Sequence, residues 1–421
     1  MRVTLVADAR SPIARGWIQA VAAEGHELQV LSTYPAESRD IPGRLEMLPA
    51  VPVLRTLSPL RLPVPRPRER PKRGGRGLLP PGARSMTPGA RRLRNFRLLS
   101  EMLCRPLVNA AIRRSLRTFR PDIIHALRIP YEGMLSEPVL RTAEQPFIVS
   151  IWGNDLTLFA AGSRWFTRAT KRVLASADAL HCDCERDVRL ARTLGYTGVA
   201  AVLPTCGGLD GSVFPGQASS ENARVRLGID TKRPIIFDPR ASRGYTRHDI
   251  FFAALPAVLQ EFPDALVVTV GIDRDPELRN YSRDLGVDQS IVFLPNQTAG
   301  DMAQLYAAAD VIVSPTEHDG TPNSVLEAMA CGSFPIVSDI ESLREWIDDG
   351  VNGFVVDLSS SGFSSGVIKA LRNDELRAKA DSYNRTLISR KATREIVGPA
   401  ISGFYRQALD AIASERGRTV H

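Results

Sequence analysis

Short apolar runs, each ending in a polar or glycine-containing loop and each followed by a helical stretch, recur along this chain of 421 residues. That alternation narrows the possible folds more than any other feature. Strands separated by helices pair in parallel, and a parallel sheet needs helices on both faces. MRVTLVAD opens the chain as a buried strand, a helical stretch runs from Pro12 to Glu24 and is closed by Gly25, and HELQVLST is the second strand. PDIIHAL, PFIVSIW and ADALHCD add three more. A Pro/Gly-rich stretch over 202–216, LPTCGGLDGSVFPG, then interrupts the pattern. It restarts with PIIFDP, ALVVTVG, IVFLP, DVIVSP, FPIVSD and GFVVD, separated by helical stretches over 249–261, 277–285, 301–308, 323–331 and 342–348. The expectation is an α/β protein with two Rossmann-like, doubly wound parallel-sheet domains, over 1–203 and 204–392, and a last helix over 393–421 packing back on the first. A chain of this length exceeds one typical core. Two such domains hold a ligand between them, at the carboxyl ends of the strands.

The charge is uneven. The whole chain carries +8, but residues 55–120 hold 17 Arg and one Lys against only Glu69 and Glu101, so this segment is +16 and the remainder −8. Its first part, about 52–90, is rich in Pro, Gly and Arg and reads as an extended loop. From Arg91 to Arg120 helical periodicity returns, and 52–118 reads as a basic insertion in the first domain. An anionic surface is the natural partner. Few aromatics interleave the arginines, which argues against nucleic acid and leaves an anionic membrane surface. Elsewhere 43% hydrophobic and 24% charged residues are ordinary for a globular protein. Five cysteines without a CxxC pair point to a reducing compartment. The first apolar run is broken at Asp8, too early for a signal-peptide core, and no apolar run is long enough to span a bilayer. Together these features predict a cytoplasmic protein, peripheral at the inner face of the membrane.

The strand-to-helix junction richest in chemistry follows DVIVSP. It reads Ser314-Pro-Thr-Glu-His-Asp319-Gly320-Thr321-Pro322-Asn323-Ser324-Val-Leu-Glu327-Ala-Met-Ala-Cys-Gly332. Free N–H groups at a helix start there favour phosphate. Carboxylates such as Asp319 and Glu327 accept from sugar and ribose hydroxyls. A competing explanation is local: Ser324-x-x-Glu327 has the spacing of a capping box, and Asp319-Gly320 that of a turn.

This stretch resembles the signature of the retaining glycosyltransferase family 4, which has the two-domain GT-B fold. The signature is an acid, seven residues and a glutamate, followed by an EAMACG-like helix and an apolar strand; Asp319 to Glu327 and EAMACGSFPIVSD match it. The family's first acid is usually Glu, and Asp319 stands there instead. The resemblance implies that Glu327 holds the ribose hydroxyls and that Asp319 contacts the donor sugar. It places the amides of Gly320, Thr321, Pro322, Asn323 and Ser324 toward sugar and phosphate; the proline among them contributes no donor. After PIIFDP, the arginines Arg240, Arg243 and Arg247 suit a diphosphate, or else form a solvated loop. Arg240 matches the family's phosphate-binding arginine, and Arg243 or Arg247 stands in for its lysine. Pro295, Asn296 and Gln297 lie where the family cradles the base. LPTCGGLDGSVF resembles the family's interdomain segment.

The first domain matches less well. SIWGNDL resembles a His-Gly-x-Asp strand end with Trp152 in place of the His, which leaves Trp152, Asn154 and Asp155 as candidates facing sugar or acceptor. His125, at the end of PDIIHAL, is a further candidate facing the cleft, and Arg15 and Gly16 follow the first strand. His181-Cys182-Asp183-Cys184 raises a metal reading, but no second ligand pair accompanies it, and buried strand cysteines explain it better.

The resemblance implies sugar transfer from a nucleotide-sugar donor to a hydroxyl acceptor with retention, of the kind used in envelope or polysaccharide synthesis, with a lipid-linked acceptor among the partners. It implies no cofactor and no catalytic metal. The proposed machinery is Asp319, Glu327, Arg240 and Arg247. Two other readings compete: a non-catalytic membrane-surface or nucleic-acid binding protein acting through the arginine-rich segment, and a nucleotide-sugar epimerase.

Overall fold

The structure is a computed structural model. It describes residues 1–37, 39, 41–49, 88–204, 206–214 and 220–419, with backbone alone for 88–103 and 414–419. Two parallel sheets carry it. The first contains β1 (Arg2–Ala7), β2 (Glu27–Ser32), β3 (Arg44–Met47), β4 (Ile123–Ala126), β5 (Phe147–Ile151), β6 (Ala179–Cys182) and β7 (Val199–Val202). They lie in the order β3-β2-β1-β4-β5-β6-β7. The second contains β8 (Ile235–Asp238), β9 (Leu266–Val270), β10 (Ile291–Leu294), β11 (Val311–Ser314), β12 (Phe334–Ser338) and β13 (Phe354–Val356), in the order β10-β9-β8-β11-β12-β13.

Both sheets therefore reverse direction between their first and fourth strands, and a crevice opens there at the carboxyl edge. Central strands are buried from end to end, as helices on both faces require. Strands β3 and β7 were not legible in the sequence: RLEM and VAAV are only partly buried edge strands without a run of large apolar residues.

The last helix, Arg394–Thr419, returns to the first domain and buries Val397, Ile401, Phe404 and Tyr405 in the core that holds Trp17 and Ile18. It also anchors a buried polar chain. Trp17 Nε1–H donates to the Tyr405 hydroxyl at 3.2 Å, and Tyr405 meets His125 Nδ1 at 2.9 Å. His125 Nε2 meets Ser150 Oγ at 2.8 Å, Ser150 Oγ meets His181 Nδ1 at 2.8 Å, and His181 Nε2 meets the Leu203 carbonyl at 2.9 Å. A carbonyl can only accept and an indole can only donate, so each intermediate hydroxyl and ring donates once and accepts once, all in one direction. This corrects the expectation for His125. It does not face the cleft; it is fully buried, with both ring nitrogens engaged inside the sheet.

Two further expectations change. Residues 342–348 are not a helix: hydrogen-bonded turns run over 341–346, and they carry Ser342 and Trp346 toward the loop after β11. Most of the arginine-rich loop expected over 52–90 lies outside the described residues. The helix that follows it, Pro88–Phe119, packs Val108 and Ile112 into the first domain. No helix among the described residues is long and apolar enough to cross a membrane.

Candidate functional site

The reversal point of the second sheet lies between β8 and β11, which pair through Ile236 and Phe237 with Val311 and Ile312. Loops leaving these two strands must meet at the carboxyl edge. Arg240 follows β8 and Asp319 follows β11; Arg240 Nη2–H donates to Asp319 Oδ2 at 2.5 Å, with each side chain 13% exposed. Burial opposes the Arg240 charge, yet the Asp319 carboxylate outweighs it and raises the Arg240 pKa. Arg240 also reaches Ser324 Oγ at 3.5 Å, at the start of the helix Asn323–Cys331.

That helix begins without a side-chain cap, since Pro322 holds the cap position. The capping-box explanation of Ser324 and Glu327 therefore fails. The Glu327 carboxylate turns away from the helix start and accepts from the Tyr306 hydroxyl at 2.9 Å. Burial pushes its carboxyl above the usual range, against the pull of Tyr306 and Arg240. The amides of Asn323 and Ser324 make no hydrogen bond among the described residues, and the Asn323 Oδ1 atom is buried without a partner. Unfilled donors at a helix start suit an anion.

The other expected cations differ in state. The Arg247 guanidinium is gripped by both Asp249 oxygens at 2.9 and 2.8 Å and by Glu317 at 2.5 Å, which together raise its pKa. The Arg243 side chain is exposed and makes no hydrogen bond or ion pair among the described residues. Asn296 packs against Gly271, where a Cβ would lie 2.7 Å from Asn296 Oδ1. Gln297 donates to the Pro295 carbonyl at 2.8 Å. Beyond Gly271 opens a cavity of ≈ 440 Å³ lined by Ser242, Ile272, Arg274 and Asp275. The loops after β8, β9, β10 and β11 thus form one continuous edge.

The first domain faces this edge through Gly153 and Asp183. Gly153 N–H donates to Asp183 Oδ1 at 3.3 Å, and Thr321 N–H crosses from the second domain to Asp183 Oδ2 at 3.2 Å. Sequence reasoning missed Asp183, Arg186 and Tyr306. Asp183 lies in the stretch His181-Cys182-Asp183-Cys184, whose sequence signal is its cysteines; Arg186 sits in an ordinary charged helix start, and Tyr306 reads as core. Asp183, Cys184 and Asp187 bring ligand-type atoms within 4.8 Å of one another, but both Asp183 oxygens already accept backbone N–H bonds.

Other expected residues serve the first domain itself. Asp155 is fully buried, pairs with Arg128 at 2.8 Å and accepts from the Trp152 amide at 3.1 Å, so it closes a turn and does not face a ligand. Trp152 is half-buried, with Arg128 5.6 Å over its ring. Asn154 Oδ1 is buried without a partner. Arg15 donates to the Ala9 carbonyl at 2.8 Å. Gly16 lets the interdomain segment pack closely, since a Cβ there would lie 2.4 Å from the Cys206 carbonyl oxygen.

Comparison with known proteins agrees with this architecture. The profile described as "Glycosyl transferase 4-like domain" matches residues 11–206, and that described as "Glycosyl transferases group 1" matches residues 219–387. A D-inositol 3-phosphate glycosyltransferase from Mycolicibacterium vanbaalenii is 24% identical over 59% of this chain and 57% of its own length. The chain thus spans little more than half the length of such relatives. Among solved structures, sucrose-phosphate synthase from Thermosynechococcus elongatus superposes with a TM-score of 0.73 at 15% identity, covering 98% of this chain and all 100% of its own. HepE from Anabaena, solved with UDP, gives 0.72 at 15% identity, covering 97% and 100%. Two parallel-sheet domains, a family signature at the reversal point of the second sheet and profile matches across both domains lead to one conclusion: the chain belongs to the group 1, family 4-type glycosyltransferases and has the GT-B fold.

Proposed function

We propose that this protein transfers a sugar from a nucleotide-diphosphate-sugar to a hydroxyl acceptor with retention of configuration. The observation that carries the reading is the convergence, at one reversal point, of Arg240, Asp319 and the unfilled amides of Asn323 and Ser324. The diphosphate lies against Arg240 and the helix start, with the exposed Arg243 beside it. The sugar meets Asp319, and the ribose meets Glu327. The base occupies the edge formed by Pro295–Gln297. As the sugar–oxygen bond breaks, charge grows on the leaving diphosphate, and fixed cations and amides stabilise it without reorganising. The departing phosphate takes the acceptor proton on the same face, so retention needs no enzyme nucleophile and no metal. UDP and UDP-glucose complexes of HepE support a nucleotide-sugar donor.

The acceptor belongs to the first domain. A lipid-linked acceptor fits the basic helix Pro88–Phe119, whose exposed Arg113, Arg114 and Arg117 and 58%-exposed Leu107 suit an anionic membrane surface.

The test is a panel of UDP-, GDP-, ADP- and dTDP-sugars, with released nucleoside diphosphate measured for wild type and Glu327→Ala, with and without a chelator. Release from one donor that survives the chelator and is lost in the variant supports the reading. A donor altered without release of diphosphate points to epimerisation, and absence of nucleotide binding overturns the donor site.

A further inference from the structure

The first turn after β6 carries Asp183, Arg186 and Asp187, and the transfer reading uses none of them. All three are buried at the seam between the domains. Asp183 accepts amides from both sides through separate oxygens: Gly153 of its own domain at 3.3 Å, and Thr321 of the donor loop at 3.2 Å. Its backbone carbonyl accepts the Thr321 hydroxyl as well. Arg186 reaches three segments with one guanidinium: the Gly153 carbonyl at 2.6 Å, the Asp319 carbonyl at 2.5 Å and Ser342 Oγ at 3.3 Å. Asp187 fixes that guanidinium through Nε at 3.0 Å and Nη2 at 2.9 Å. From across the seam, Glu345 caps the start of the helix Glu185–Thr193, accepting from the Glu185 amide at 2.8 Å and the Arg186 amide at 3.1 Å.

The centre of this contact has no room to spare. A Cβ on Gly153 would lie 2.0 Å from Gly320 N, and one on Gly320 would lie 2.1 Å from the Asp183 carboxylate. Both glycines are therefore required for the two backbones to meet.

We propose that Arg186, together with Asp183, is a positioning residue for sugar transfer: a latch that fixes the Asp319–Thr321 backbone of the donor loop only when the two domains are closed. The proposal rests on the donor-site reading above. Asp319 is held from three sides: its carbonyl accepts from Arg186 across the seam and from Ser342 of its own domain, and its carboxylate accepts from Arg240. The latch thus sets where the sugar-facing carboxylate sits relative to the phosphate-facing arginine. Only a planar, five-donor side chain can serve an acid partner and three acceptors at once, so lysine cannot replace it fully. In the open form water takes over these groups. In the closed form the Arg186 guanidinium is filled on every side, but Asp187 Oδ2 is buried without a hydrogen-bond partner, a cost that opening to water relieves. Closure therefore remains reversible, and opening costs neither domain any of its core.

The test compares wild type with Arg186→Gln, Arg186→Lys and Glu345→Gln. Small-angle X-ray scattering without ligand reads closure directly. Tryptophan emission adds a local readout of the donor loop, because Trp346 Nε1–H donates to Thr321 Oγ1 at 3.1 Å within the second domain, and Thr321 in turn meets Asp183 across the seam. The expected result for Arg186→Gln is a larger radius of gyration and a shifted emission. Affinity for UDP, GDP, ADP and dTDP should stay within about twofold while kcat on the active donor falls by about 10- to 100-fold, the effect of losing charge-assisted hydrogen bonds. Arg186→Lys should recover part of kcat, and Glu345→Gln should move every readout less, in the same direction. Unchanged scattering and kcat in Arg186→Gln overturn the proposal. So do parallel losses of nucleotide affinity, kcat and thermal midpoint, which mark a folding role. If wild type binds no nucleotide, the donor-site reading has failed, and the scattering comparison still decides whether the latch exists.

Discussion

The two sheets share a strand order and a reversal point, but they place their polar residues differently. In the first domain, His125, Ser150 and His181 lie on adjacent strands and hydrogen-bond to one another; Ser150 and His181 are register partners. Asp155 is consumed by Arg128 and its own turn. In the second domain, Arg240, Asp319 and Glu327 stand just past the strand ends, and the helix start beside them keeps unfilled amides. The lesson is that a polar residue near a strand end is not yet a site. It becomes one when its position outruns the sheet, so that no neighbouring strand can satisfy it.

The largest expected effect tests this contrast directly. Arg240→Ala or Glu327→Ala should lower donor turnover by about 100- to 1,000-fold, the magnitude of removing a fixed group that stabilises transition-state charge, far more than the fall in thermal midpoint from an unpaired Asp319 or Tyr306 can explain. Asp155→Asn should do the reverse, because it strips the partner from the partly buried Arg128 while touching no ligand. Turnover and melting measured on the same samples decide it. A collapse in turnover for Asp155→Asn without a stability loss would show that the first domain contributes to the chemistry after all.

Much of this arrangement was legible in sequence, for identifiable reasons. Strands such as VIVS and IIFD are short, apolar and buried on both faces, and the Asp319-to-Glu327 signature sits in one continuous stretch. What escaped was either weakly patterned or assembled from a distance. RLEM and VAAV are half-buried edges. SLREWID has helical spacing, yet the chain turns there so that Ser342 and Trp346 can reach the donor loop. The contacts of Asp183 and Arg186 join segments more than a hundred residues apart, and no local pattern encodes them.

The buried histidines give the next effect. Burial pushes His181 down to about 4 and, together with His181, holds His125 well below its ordinary value. The native state therefore keeps both neutral, while the unfolded chain protonates them near 6.5. Their contribution is fully present above pH 6.5 and is lost as pH falls toward 4, by about 3 kcal/mol for His181 alone. His248 slopes the other way: Asp238 outweighs its burial and raises its pKa. The informative quantity is thus the difference between wild type and His181→Gln in urea unfolding at pH 7.5 and 4.5. A gap that does not narrow on acidification would refute the neutral chain.

An effect of similar size concerns Glu132, beside the reversal point of the first sheet. It is buried, accepts from the Thr33 hydroxyl at 3.0 Å and follows Tyr131, whose φ is 72°. Burial pushes its carboxyl up to about 7. The native state then holds the proton longer than the unfolded chain does, so stability falls as pH rises from about 4.5 to 7. Glu132→Gln should stabilise the protein by about 3 kcal/mol at pH 8 and have no such benefit at pH 4.5. Equal effects at both pH values would show that the carboxyl is ionised throughout.

The smallest effect sharpens the comparison inside the second domain, where two arginines compete for the role of the family lysine. Arg247 is already neutralised by Asp249 and Glu317, and its removal would leave both carboxylates uncompensated. Arg243 carries an exposed, uncommitted charge on the same loop. Arg240 shares its guanidinium with one carboxylate, whereas Arg247 is bound by two, so Arg243 is the freer candidate for a second cation at the diphosphate. Arg243→Ala should therefore raise the donor KM by about fivefold, on the order of 1 kcal/mol for a partly screened contact, at constant thermal midpoint. Arg247→Ala should lower the midpoint, and doubling the salt concentration should shrink the Arg243 effect more than the Arg247 effect. If Arg247→Ala instead leaves the midpoint untouched and carries the larger KM change, then its two carboxylate partners must release it when donor binds, and Arg247 takes the lysine's place.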